Sequence, residues 1–127
     1  MPEQNEQDDI WDPAAAMGYV QGDTELLKRM VMRYLEHEEE GLRRVEQAID
    51  QREWQALKQW AHTVKSTLGI LGAVRAHKQA VGIDELCVRE DYTAAGECFG
   101  SLREQLGHLR GRLREWLEEN QHASVSG

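Results

Sequence analysis

With 127 residues, 40% of them hydrophobic and 30% charged, the chain is long enough for one core and apolar enough to fill it, which excludes disorder throughout. Lys and Arg number 15 against 23 Asp and Glu, a formal net charge of -8 that repels a phosphate backbone, so nucleic acid is not an expected partner. No apolar run approaches the about 20 residues that span a bilayer, and the opening MPEQNEQDD lacks the basic and apolar regions of an export signal; a cytoplasmic location without membrane insertion is expected.

Helical periodicity dominates and no stretch sustains the alternation of a half-buried strand, so the fold class is all-α. Residues 1–9 are polar and read as a flexible segment or linker. In IWDPAAAMGYV, Asp12 is placed to cap a short helix and Pro13 to take its first position, with Ile10, Trp11 and Met17 facing a larger bundle. Gly18 and the following QGD end it.

Asp23 opens a long helix with apolar residues at Leu26, Leu27, Met30, Val31, Tyr34, Leu35, Leu42, Val45, Ala48 and Ile49. The charges of EHEEEG interrupt this stripe and read as a solvated face. The next helix carries Trp54, Leu57, Ala61, Val64, Leu68 and Leu71 in steps of three and four, a bundle seam, and Gly72 ends it. Ala73, Ala76, Ala80, Ile83 and Cys87 form the following stripe, whose small residues allow close packing. Tyr92, Ala95, Phe99, Leu102, Leu106, Leu109, Leu113 and Trp116 mark the last helix, in which Gly107 and Gly111 lower helix propensity.

Four long amphipathic helices joined by short turns bury one another's apolar faces as an antiparallel four-helix bundle, with the short N-terminal helix as a lid. The domain is placed at residues 10–119, and 120–127, which lose periodicity, read as a flexible tail. Cys87 and Cys98 lack a CxxC or a partnering His motif and read as buried free thiols. No HxxxH spacing occurs, so no metal site is expected. Trp54, Trp60 and Trp116 fall on or beside seams and read as packing.

Within WAHTVKSTLGILGA, positions 62, 65, 66 and 69 share one helix face, beside the seam of Ala61, Val64 and Leu68. His62 is therefore expected at solvent. Lys65 stands one turn away, where a cation disfavours a second proton on the imidazole and neutralises an anion attached to it. Ser66 and Gly69 are small and leave the ring accessible. This chemistry suits a nucleophile that receives a dianionic group from a bulky partner. His37, His77, His108 and His122 lack such surroundings and read as surface or satisfied residues.

The stretch AHTVKSTLGILGA resembles the signature of histidine-containing phosphotransfer (HPt) domains: a His, a Lys three residues later, a small residue next, then LGA. The acidic, leucine-rich GDTELLKRMVMRYLEHEEEGLRRVEQAIDQREWQALKQWAH ahead of it is similar to the same family, so the resemblance covers roughly Ile10 to Trp116. It implies that His62 accepts a phosphoryl group through Nε2 from a receiver-domain phosphoaspartate and passes it to another receiver. It also implies that Lys65 contacts the phosphoryl group, and that Asp84, on the following helix, hydrogen-bonds the other ring nitrogen of His62 and orients it. The competing reading of Asp84 is an ordinary surface residue. Ser66 stands where the family commonly has Gly and adds a hydroxyl within reach of phosphoryl oxygens.

The resemblance places Mg2+ and its acidic cluster on the partner receiver, and no Gly-rich phosphate loop or ATP signature occurs here, so a phosphoryl carrier without autonomous kinase activity and without its own cofactor is expected. Expected partners are response regulator receiver domains and a hybrid sensor histidine kinase, whether the chain stands alone or forms the C-terminal module of that kinase. Met17, Met30 and Met32 read mostly as core, with one or two of them open to the reading of an apolar docking patch beside His62. A monomer is expected. Two further functions stay open: a helical adaptor that is never phosphorylated, and the histidine-bearing domain of a chemotaxis-type kinase.

Overall fold

The computed structural model describes the backbone of residues 9–126 and side chains through residue 121. Five helices follow one another along the described residues: α1 (Pro13–Tyr19), α2 (Thr24–Asp50), α3 (Trp54–Leu71), α4 (Val74–Val88) and α5 (Tyr92–Ser126). The last four close a bundle in chain order, α2 on α3, α3 on α4, α4 on α5 and α5 back on α2, while α1 lies across α2 and α3. This is an antiparallel four-helix bundle with an added N-terminal helix, because short turns force consecutive helices to reverse.

Local chemistry sets the helix starts. Asp12 accepts a hydrogen bond from the Ala15 amide with Pro13 at the first position, and Asp23 accepts from the Leu26 amide. Helix α3 stops at Gly72, whose φ of 79° is the left-handed conformation that a glycine adopts without strain. Gly72 is also needed for space, since a Cβ there would lie 2.9 Å from the Asp12 carbonyl oxygen. The segment before α1 docks at this end of α3: the Asp12 amide donates to the Gly72 carbonyl at 3.0 Å. The Trp11 indole N–H donates to the Leu71 carbonyl at 2.7 Å. Terminal carbonyls that α3 cannot satisfy itself are thus paired by the lid.

The seams meet in one core of Leu27, Val31, Leu42, Val45, Leu57, Ala61, Leu68, Ala76, Ala80, Ile83, Leu102, Leu106, Leu109 and Leu113, all buried. Aromatic rings brace its edges, with Trp11 edge-on to Trp116, Trp54 stacked on Tyr92 and Trp60 edge-on to Phe99. Ala73, Ala76 and Ala80 bring α4 close to α3, which places the α4 side chains next to the face that bears His62.

Three expectations change. Glu38, read as part of a solvated face, is buried and receives Arg110 of α5 at 2.7 Å, because the stripe of α2 continues through position 38 between Tyr34 and Leu42. Cys98 is exposed, since Ala95, Phe99 and Leu102 take the inward positions of α5 and leave it outside; only Cys87 is a buried thiol. Helix α5 also runs to Ser126, past residue 119, so the loss of apolar spacing there marks the end of the packed seam and not of the helix. Of the polar N-terminal segment, residues 1–8 lie outside the described residues, while Asp9 lies 3.7 Å from Arg75.

Candidate functional site

The seam of α3 turns Ala61, Val64 and Leu68 inward and so turns His62 outward, where its side chain is 71% exposed. One turn on, Lys65 leans towards α4 and its Nζ donates to Asp84 Oδ2 at 2.8 Å. Asp84 itself is buried, its side chain 10% exposed, which rules out the reading of it as an ordinary surface residue. A carboxylate in that position requires compensation, and Lys65 supplies it. The second oxygen, Oδ1, lies 3.7 Å from His62 Nδ1. That is beyond hydrogen-bond length but within ion-pair reach.

One carboxylate therefore serves two neighbours through different oxygens, holding the lysine directly and facing the imidazole across a short gap. It stands on the Nδ1 side of the ring. Asp84 also acts on the core behind it: burial first, then the nearby Asp84 charge, push the Cys87 thiol above its ordinary pKa, against an opposing contribution from Lys58.

Ser66 is exposed beside His62, and its hydroxyl donates back to the His62 carbonyl at 3.5 Å, a long bond within the helix. Gly69 is exposed as well, but its small size has a second use. A Cβ at 69 would lie 3.2 Å from Cε1 of His77, whose ring packs onto the α3 backbone there. The Nδ1 of His77 is 3.0 Å from the carbonyl oxygen of Lys65 and donates to it. Sequence reasoning set His77 aside. Its one trace in the sequence is a glycine inside a well-formed helix, where alanine is favoured by about 1 kcal/mol and a close neighbour is the usual reason to forgo it.

The three methionines do not converge. Met30 lines a groove between α2 and α3, Met17 packs on the core from α1, and Met32 is half exposed, roughly 160° round α2 from Met30. The groove encloses about 630 Å³ between Met30, Tyr34, Leu42, Trp60, Val64 and Leu71, on the side of α3 turned away from the face of His62, Lys65, Ser66 and Gly69. Among the described residues no group of three or more His, Cys, Asp or Glu side chains is arranged to hold a metal ion, and no helix is long and apolar enough to cross a membrane.

An accessible imidazole, backed on one nitrogen by a carboxylate and flanked by a lysine, leaves Nε2 free to attack an electrophile brought by a partner. No match was found among curated proteins or among solved structures. The model of the Hpt domain family matches residues 29–122, from within α2 into α5, and so takes in His62, Lys65 and Asp84 while leaving α1 outside. With most of the chain covered and the bundle in place, the chain belongs to the Hpt domain family, the histidine phosphotransfer domains of phosphorelays.

Proposed function

We propose that His62 is the phosphoacceptor of this domain, taking a phosphoryl group from the phosphoaspartate of one receiver domain and delivering it to the aspartate of another. The single observation that carries this reading is the exposed His62 ring with Asp84 and Lys65 grouped at its Nδ1 side. Hpt domains in general are phosphocarriers without kinase activity of their own.

The transfer balances without a proton leaving the site. The Nε2 lone pair forms the N–P bond in line as the acyl phosphate O–P bond breaks, and the electron pair departs with the receiver's carboxylate. The ring, protonated on Nδ1, then bears positive charge, and Asp84 Oδ1 faces that nitrogen. Closing the 3.7 Å gap by a small ring rotation turns this contact into a charge-assisted hydrogen bond. Lys65 neutralises the phosphoryl oxygens, for which its Nζ must share or leave Asp84 Oδ2. Ser66, engaged only weakly with the His62 carbonyl, adds a donor there. The Mg2+ that assists the reaction belongs to the receiver, and the partners are response regulator receivers and a hybrid sensor kinase.

The test is phosphotransfer from a phosphorylated receiver domain in Mg2+ to the wild-type chain and to His62→Gln. Acid-labile, base-stable label on the wild type alone is expected. Label on both proteins moves the acceptor elsewhere, and label on neither, with several receivers and a folded protein, favours a binding role without phosphorylation.

A further inference from the structure

The contact between His77 and the backbone of α3 lies further along the face of α3 that bears the proposed phosphoacceptor. A carbonyl oxygen only accepts, so the 3.0 Å contact with the Lys65 oxygen puts a proton on Nδ1 of His77. That carbonyl sits mid-helix and already accepts from the Gly69 amide in the regular α3 ladder, so the imidazole is a second donor to it. A Cβ at position 69 would stand 3.2 Å from Cε1 and 3.4 Å from Nδ1 of the ring, so a larger residue there would push the ring back by a few tenths of an ångström. His77 and Gly69 form one device.

Its location gives it a purpose. His77 is in the first turn of α4, and Asp84 lies further along the same helix. Two links therefore tie α3 to α4 here, His77 to the Lys65 backbone and Asp84 to the Lys65 side chain. The site depends on a small difference in distance: Asp84 is bonded to Lys65 at 2.8 Å yet stands 3.7 Å from His62. The alanine-rich contact between α3 and α4 supplies apolar packing, which is non-directional, whereas a ring bonded to one carbonyl defines a register.

We propose that His77 is a positioning residue for phosphotransfer, which, through Gly69, sets the register of α3 against α4 and thereby the placement of Asp84 between Lys65 and His62. This rests on the reading of His62 as the phosphoacceptor. A misplacement of about 1 Å costs about a hundredfold in rate, so losing a link that governs a few tenths of an ångström lowers the maximal transfer rate about tenfold.

The experiment uses the full 15N-labelled chain with His77→Phe, His77→Asn and Gly69→Ala. Long-range 1H–15N spectra are expected to show the Nδ1-protonated tautomer of His77 in the wild type. His77→Phe and Gly69→Ala are expected to lower the maximal rate of transfer from a phosphorylated receiver about tenfold at unchanged half-saturating receiver concentration, and to shift the ring nitrogens of His62. His77→Asn, whose amide N–H replaces the Nδ1 donor, is expected to restore most of the rate. An Nε2-protonated His77 in the wild type, or wild-type rates in His77→Phe, overturns the proposal; if that variant does not fold, Gly69→Ala decides in the same way. Should the wild type take no label, the reading of His62 fails, and the positioning role is judged by the spectra alone: it stands if Gly69→Ala moves the His62 nitrogens and falls if it does not.

Discussion

Among the described residues two carboxylates are buried, each paired with a cation from another helix, and they end in different situations. Glu38 of α2 receives Arg110 of α5 at Oε1, while its Oε2 and the nearby Tyr34 hydroxyl are buried without a hydrogen-bond partner. Asp84 of α4 gives Oδ2 to Lys65 and turns Oδ1 towards an exposed imidazole. Pairing with a cation is common to both and explains only why the charge is tolerated. What separates them is the second oxygen: buried without a partner in one case, turned towards an imidazole open to solvent in the other. If His62 is the phosphoacceptor as proposed, the comparison assigns Glu38 to the stability of the bundle and Asp84 to transfer.

Substitutions at the two carboxylates test that division. Glu38→Ala is expected to have the largest effect on stability. It strands Arg110, and breaking a buried pair costs about 3–5 kcal/mol, which the partial exposure of Arg110 reduces to about 2 kcal/mol in urea unfolding. Transfer to the folded variant should match the wild type. Asp84→Asn is expected to do the reverse, with transfer about tenfold slower and stability lower by about 1 kcal/mol, because the asparagine oxygen still accepts from Lys65, which is itself partly exposed. If Glu38→Ala slows transfer as much as Asp84→Asn does, the division is wrong.

Tyr34 sharpens the contrast from the side of the groove. Burial, then the nearby charge of Glu38, raise the phenol far above its ordinary pKa, with Arg110 opposing. In the folded chain the phenol keeps its proton at pH values where the unfolded chain has lost it, so this contribution to stability is full below about pH 10 and declines above it. Tyr34→Phe removes a buried hydroxyl without a well-placed partner, and unfolding at neutral pH should show it unchanged or more stable by up to about 1 kcal/mol. Urea midpoints at pH 8 and 11 should fall less in Tyr34→Phe than in the wild type. The smallest effect is chemical: a thiol reagent should label Cys98 at once and Cys87 only on unfolding, because Cys87 is buried behind Asp84 with a raised pKa. Rapid labelling of both would mean that the α4 side of the site opens in the native state.

Much of this molecule was legible residue by residue. The caps at Asp12 and Asp23, the stop at Gly72, the four seams and the outward face of His62 all follow from propensities and periods that operate within one helix. Where two helices face each other, the reading thins out. Charge argues Glu38 into solvent, whereas its place in the stripe between Tyr34 and Leu42 together with Arg110, distant in the chain, holds it inside. The proposed docking methionines were chosen for residue type, and the arrangement of α1 and α2 disperses them.

The sequence by itself determined the helices, their buried stripes and the face on which His62 stands, because these depend on the spacing of side chains along one backbone. Only the tertiary structure decided that Asp84 is buried, that it holds Lys65 while standing off from His62, and that Gly69 is a seat for the ring of His77. Those are matters of register between α3 and α4. Periodicity along either helix leaves such register open, and it is settled when the packing of the whole bundle brings particular atoms within a few ångströms of each other.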